Sequence, residues 1–351
     1  MKERNYHYGI DLLRIVAMFM IVVTHVLAQG GIRKEVEGTF DLYYFVTWLL
    51  QIAVYWAVNA YALISGFVGH RSRYRYSKII ELWLHVFFYT FLFAVGFTVL
   101  GKELSLTDWR NALFPILTGK YWYVTAYFGL LVFMPLLNLA IERISNRDLG
   151  RILVIAFVGF SLVPALFNNS IDEFALDRGY SSLWLILLYL TGAYLARKDL
   201  KKLPSNRILF LGYSLTVLVS FALKSVVGNI WFWYTSPTMI LGALCIFIPF
   251  ARMKITNVKL QAFIKVVAPT TLGIYLIHLN PLVVRFLLRD FAKPFTNLPI
   301  LAFLGMILGA SAIIFALSSM IDWLRLKLFD KLKVKGLSEL CDQHFPYDVK
   351  D

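Results

Sequence analysis

The chain alternates long apolar stretches with short polar ones. Apolar runs near the length of a membrane crossing occupy residues 8–28, 42–68, 79–100, 121–140, 151–167, 183–196, 208–226, 231–250, 268–288 and 300–321. A helix needs about 20 residues to cross the hydrocarbon core of a bilayer. Each run therefore predicts a spanning helix, with 151–167 and 183–196 the shortest. Polar stretches such as GKELSLTDWRN, FNNSIDEFALDRGY, RKDLKKLPSNR and RDFAKPFTN predict the connecting loops. The fold expected is all-α: a polytopic membrane bundle of about ten transmembrane helices over residues 1–321, with a basic cytosolic tail over 322–351.

Composition agrees with this pattern. Of 351 residues, 59% are hydrophobic and only 16% charged, a balance far from that of a soluble globule. The formal net charge of +14 does not point to nucleic acid, because the cations lie in short clusters between apolar runs. Assigning alternate loops to alternate sides puts 24 Lys and Arg on the side of both termini and 10 on the other. The positive-inside rule then places both termini in the cytosol of a multi-pass protein of the cell membrane. Residues 1–28 also fit a cleaved signal peptide, with VLA before Gln29 as the cleavage point. Cleavage would leave nine spans and require an outside N-terminus. Cys245 and Cys341 lie in different settings and form neither a disulfide framework nor a metal pattern. There is no nucleophile elbow, phosphate-binding glycine loop or metal motif.

The first run, YGIDLLRIVAMFMIVVTHVLA, carries Asp11, Arg14 and His25. Arg14 and His25 are eleven residues apart, within about 20° of three full helical turns, so they share a face about 16 Å apart along the axis. Asp11 is three residues before Arg14, close enough to pair with it. Ionisable groups at such depth cost at least about 2.5 kcal/mol each on insertion scales, and they usually face a bundle interior or a water-filled cavity. The plainer reading is an ion pair near one interface and a histidine at headgroup level near the other. Other runs add to the count. His278 is mid-run in the ninth, and Arg285 is seven residues on, nearly on the same face of a continuous helix. Glu81 and His85 are spaced i, i+4 in the third run and read as structural. The second carries Gln51, Asn59 and Ser65, which can also serve to bond neighbouring helices. Together these groups predict a wet cavity within the bundle.

These residues resemble the acyltransferase-3 family of integral membrane O-acyltransferases. The matching features are Arg14-x10-His25 in the first run, NAYALISGFV (59–68), YWYVTAYFGLLVFMPLLN (121–138) and LGIYLIHLNPLV (272–283), and the likeness extends from the first run through the tenth. The resemblance implies transfer of an acyl group, often acetyl, from cytosolic acyl-CoA to a hydroxyl of an extracytoplasmic cell-surface glycan or its lipid-linked precursor. It implies His25 as the catalytic base with Arg14 beside it, no permanently bound cofactor, and acetyl-CoA as donor substrate. An unperturbed imidazole titrates near pH 6.5 and can accept a hydroxyl proton; a covalent acyl-histidine is the variant. Arg14 is a candidate to hold the carbonyl oxygen or a donor phosphate.

In this reading the loop GHRSRYRYSK (69–78) is a candidate site for the phosphates of coenzyme A, through Arg71, Arg73, Arg75 and Lys78, or else a plain positive-inside loop. Where the family often has Arg-x-x-Arg, this chain has Arg75-x-x-Lys78, and lysine lacks the bidentate fork. His278 and Arg285 are candidate cavity residues. Trp122, Tyr123 and Tyr127 read either as an aromatic wall for a sugar ring or as an interfacial belt. The competing function is a transporter or flippase for a lipid-linked glycan, which also needs a polar cavity. The acceptor, the acyl chain and the oligomeric state are not readable from the sequence.

Overall fold

A computed structural model describes residues 6–72, 74–169, 171–172 and 174–344. Among these residues there is no strand; every regular element is helical. Among the described residues, nine helical segments are long and apolar enough to cross a membrane, and a tenth apolar helix is shorter. The chain is thus an all-α, multi-pass membrane protein.

Helix α1 (Tyr8–Ala28) is the hub. Its apolar window is 67% buried although it contains no soluble-protein core, whereas the last long helix is only 17% buried. That contrast sorts an inner ring from a lipid-facing periphery. Around α1 pack α2 (Leu42–Tyr55) and α3 (Ala57–Gly69), which form one crossing kinked at Trp56. The third and fourth crossings are α4 (Ser77–Val99), followed by the short α5 (Leu106–Leu113), and α6 (Trp122–Arg143). The fifth run is longer than its apolar stretch. Ser145 caps α7 (Asn146–Phe157), and a π-turn over Val158–Leu162 carries the helix on to Leu166, so polar first-turn residues complete a full span.

The sixth, α8 (Ser182–Ala196), stays at 15 residues. It packs backbone to backbone on α3: a Cβ on Gly66 would sit 1.8 Å from the Tyr189 carbonyl oxygen, and one on Gly192 2.0 Å from that of Leu63. Only glycine permits this approach, the usual route to tight helix association where hydrophobic burial gives no advantage over lipid. Helices α9 (Asn206–Val226) and α10 (Pro237–Arg252) form an antiparallel pair, and α9 turns Leu211, Leu215 and Leu218 outward as a lipid-facing side.

One sequence expectation needs correction, and the end of the tenth run needs a closer description. The ninth crossing does not run over 268–288. It is built from α11 (Val258–Val267) and α12 (Thr271–His278), joined by one 3₁₀ turn, and it ends at Leu279. The cause is Asn280-Pro281. Proline disfavours helix in the residue before it and starts a new turn; the Asn280 side chain accepts from the backbone N–H groups of Leu282 and Val283 and caps that turn. The tenth helix, α13 (Ile300–Lys331), is 32 residues long. A boundary at 321/322 therefore falls inside a continuous helix, and Asp322 and Arg325 are buried in it. A final amphipathic helix, α14 (Val334–His344), lies against α4.

Candidate active site

Arg14 and His25 do share a face, and that face lines one cavity of about 280 Å³ inside the bundle. Helix α1 is unbroken between them, so the axial separation of about 16 Å holds. At one end Arg14 forms an ion pair with Asp11, and its backbone carbonyl accepts from the Tyr61 hydroxyl at 2.7 Å. Trp122, Tyr123 and Tyr127 stand on the same wall with Tyr61 and Tyr275.

At the other end the half-buried His25 meets His278. The two imidazoles are joined by a hydrogen bond of 3.0 Å between His25 Nδ1 and His278 Nε2. His278, only 3% exposed, also has its Nδ1 2.5 Å from the carbonyl oxygen of Ile274. With both rings neutral, these two contacts assign the proton positions. A carbonyl only accepts, so His278 Nδ1 carries the hydrogen and donates; a neutral imidazole then has a lone pair at Nε2. His25 Nδ1–H donates to that lone pair, leaving the His25 Nε2 lone pair free. The arrangement supplies an oriented base whose partner sits 253 residues away in sequence.

The helix carrying His278 is itself fixed from both sides. Tyr121 donates to the Leu276 carbonyl at 2.9 Å and accepts from Asn280 at 3.0 Å, so the helix break after His278 is hydrogen-bonded in place. Behind the helix, Gly273 packs on Asp322: a Cβ there would lie 2.0 Å from the Asp322 carboxylate. Asp322 is fully buried and accepts from Arg325 Nε at 2.8 Å and from Tyr89 at 2.8 Å, with His85 Nε2 at 3.1 Å. Buried charge is tolerable only with such partners. His85 therefore pairs with Asp322 and not with Glu81, which accepts from Ser338 of α14. The acid of this network went unseen in the sequence because it was assigned to the tail.

Beyond His25 the cavity continues. A second chamber of about 370 Å³ shares Thr24, His25, Tyr55, Trp122, Tyr234 and Tyr275 with the first. A third, of about 520 Å³, shares Arg33, Tyr55 and Tyr180 with the second.

The other sequence candidates fall elsewhere. Arg285 is on neither wall: it lies past the break at Asn280 and grips Asp108 with two bonds of 2.7 and 3.0 Å. The same-face argument fails because the helix linking it to His278 does not exist. Asp108 closes the capping box of α5 with Ser105, and the Arg285 guanidinium holds its carboxyl down to about 2 from an ordinary 3.8. Arg71, Arg75 and Lys78 are not on the walls of the Arg14–His25 cavity. Arg71 is exposed, Arg75 lies 3.8 Å from Glu339 of α14, and Lys78 is in the first turn of α4. Arg73 lies outside the described residues. No cluster of metal-ligating side chains occurs among the described residues.

Residues 7–319 match the family model Acyl_transf_3, an acyltransferase domain. No curated protein and no solved structure matches the chain.

Proposed function

The chain belongs to the acyltransferase-3 family, as a multi-pass membrane protein that passes an acyl group from a donor to an acceptor, and on that premise we propose that it is an O-acyltransferase with His25 as its general base. The donor is cytosolic acyl-CoA, acetyl-CoA the expected one, and the acceptor is a hydroxyl of an extracytoplasmic cell-surface glycan or of its lipid-linked precursor. The observation that carries this reading is the His25–His278 pair, which leaves an oriented lone pair on His25 Nε2 where two chambers meet.

The steps follow from that lone pair. His25 Nε2 takes the acceptor's hydroxyl proton as the oxygen attacks the thioester carbonyl, forming the C–O bond. The resulting imidazolium is stabilised through Nδ1 by His278. On collapse the C–S bond breaks and the imidazolium proton passes to sulfur, releasing the free thiol of coenzyme A. General-base assistance of this kind is worth about 10²–10⁴-fold. We assign Tyr275, which lines both chambers, as the donor to the developing oxyanion. Arg14 is too far from His25, about 16 Å along α1, to hold the same carbonyl. Its guanidinium is assigned instead to the donor's remote, phosphorylated part, together with the 69–78 loop.

The test uses purified protein in proteoliposomes with radiolabelled acetyl-CoA. Wild-type protein consumes the thioester when acceptor is present, and His25→Ala lowers kcat by about 10²–10⁴-fold with the protein still folded by gel filtration. Absence of any acyl turnover in the wild type, with movement of a lipid-linked glycan across the bilayer, would replace the transferase reading with a flippase.

A further inference from the structure

Among the described residues, the chambers beyond His25 carry cations that no carboxylate within 4 Å pairs with. Arg33 lines both. It is brought back over the mouth by a turn at Gly31, whose φ of +89° is natural for glycine. That turn is pinned by the backbone bonds Asp290 N–H to Gln29 O, 2.9 Å, and Ala292 N–H to Gly30 O, 3.0 Å. The guanidinium carbon of Arg33 then lies 4.8 Å from the Trp48 ring centre. Lys224, 9% exposed, places its Nζ 3.6 Å from the same ring. Among the described residues neither cation has a carboxylate within 4 Å. Arg33 Nε and Trp48 Nε1 are also buried N–H donors without an acceptor.

Among the described residues, the chamber next to His25 is lined by two cations, Arg33 and Lys120, and by no acid. The further chamber holds Glu37 and Asp177 with Arg33 and Arg178. Between these charges stands a stack of rings. Tyr55 lies 4.2 Å from both Phe232 and Tyr234, and Trp122 lies 4.4 Å from Tyr180. Two cations sharing one indole, with Glu37 in the same region but no carboxylate within 4 Å of either among the described residues, are costly to hold. The cost is offset when a ligand brings the anion. Aromatic faces beside a few placed polar groups are what a saccharide ring with one charged substituent requires.

We propose that the acceptor is an anionic saccharide, one bearing a carboxylate or a phosphate, whose charge is held by Arg33 with Lys120 while a hydroxyl of the same molecule reaches His25. The inference rests on the acyl-transfer reading and adds the acceptor's chemical class. Arg33 is the main determinant, because its planar fork matches carboxylate and phosphate oxygens in pairs. Lys120, exposed at the rim, adds attraction without geometry.

The experiment reads binding, so that it does not depend on turnover. Tryptophan fluorescence of the full chain in lipid nanodiscs is titrated with three probes: a glucuronic-acid-containing disaccharide, a polyprenyl-phosphate-linked sugar and a matched neutral disaccharide. Wild-type protein binds at least one anionic probe roughly ten times more tightly than the neutral one, a typical coupling for a charge-assisted contact. The arm that binds tells carboxylate from phosphate. In Arg33→Gln the anionic-to-neutral ratio falls to about one, and in Arg33→Lys, which keeps the charge and loses the fork, it is intermediate. Equal binding of neutral and anionic probes by the wild type overturns the proposal, and that result needs no variant. So does a preference that survives Arg33→Gln, or an Arg33-dependent signal given by acetyl-CoA alone. If anionic binding is found and no acyl transfer occurs, it is the transferase reading that fails.

Discussion

Replacing His278 tests the oriented base directly, because two substitutions remove different halves of its function. His278 Nδ1 donates to the Ile274 carbonyl, and its Nε2 accepts from His25. In His278→Gln the amide oxygen reaches about where Nε2 was and can still accept from His25 Nδ1–H. In His278→Asn the shorter amide reaches only about where Nδ1 was; it can bond Ile274 but leaves His25 without an acceptor. Each variant keeps one of the two bonds, and at His25 itself they differ by one buried hydrogen bond, worth about 0.5–1.5 kcal/mol net. At 298 K that is about a 2- to 13-fold difference in kcat in favour of Gln. Both fall below the wild type, since an amide replaces the imidazole of His278 that supports the His25 imidazolium in the proposed step. Neither falls as far as His25→Ala, for which about 10²–10⁴-fold is expected. The assay is single-turnover transfer from radiolabelled acetyl-CoA at saturating donor, so that kcat and not donor binding is read. If Asn equals or exceeds Gln, or if either variant matches His25→Ala, the account of His278 as the group that orients His25 is wrong.

Two further outcomes follow from the surroundings of the pair. Gly273→Ala forces a methyl group to within 2.0 Å of a carboxylate held by Arg325, Tyr89 and His85, which cannot give way. Overpacking of this kind costs about 1–3 kcal/mol and moves the helix bearing His278, so transfer and detergent Tm fall together; a drop in neither refutes the packing argument. The Arg285–Asp108 clamp gives a pH signature. Its carboxyl lies at about 2 in the folded protein against an ordinary 3.8, a depressed value, so its contribution is complete above about pH 4 and is lost as pH falls toward about 2. The stability gap between wild type and Asp108→Asn is thus constant from pH 7 to about 4 and closes below that; closure already near pH 6 would be contrary.

The apolar pattern was enough to find an all-α multi-pass bundle and to locate most of its long apolar helices, since length and hydropathy are local properties. Arg14 and His25 were also placeable on one wall, because eleven residues is nearly a whole number of turns and α1 is straight. What failed were inferences that carried helix past a signal to stop. Asn280-Pro281 is a turn signal in its own right, and reading it so would have separated Arg285 from His278. The opposite error occurred at Asp322, where charge was read as the end of the membrane segment. In the fold those charges satisfy one another at i, i+3 inside a continuing helix. The His25–His278 contact was beyond reach, because nothing local to either residue encodes a neighbour 253 positions away. The role of Arg33 was hidden for a related reason: a cation in a short loop looks solvated until the turn at Gly31 folds it back over the rings.

The partition between the first two chambers is six side chains thick in composition: Thr24, His25, Tyr55, Trp122, Tyr234 and Tyr275. Four of the six are aromatic, and one is His25, the base proposed above. The chambers are displaced along α1, the direction in which the chain crosses the bilayer. Insulation and chemistry are therefore assigned to the same few rings. In the acyl-transfer reading proposed above, a change that widens the space between the chambers for a bulkier acyl chain also thins the protein between them, which sets substrate range against the electrical tightness of the membrane.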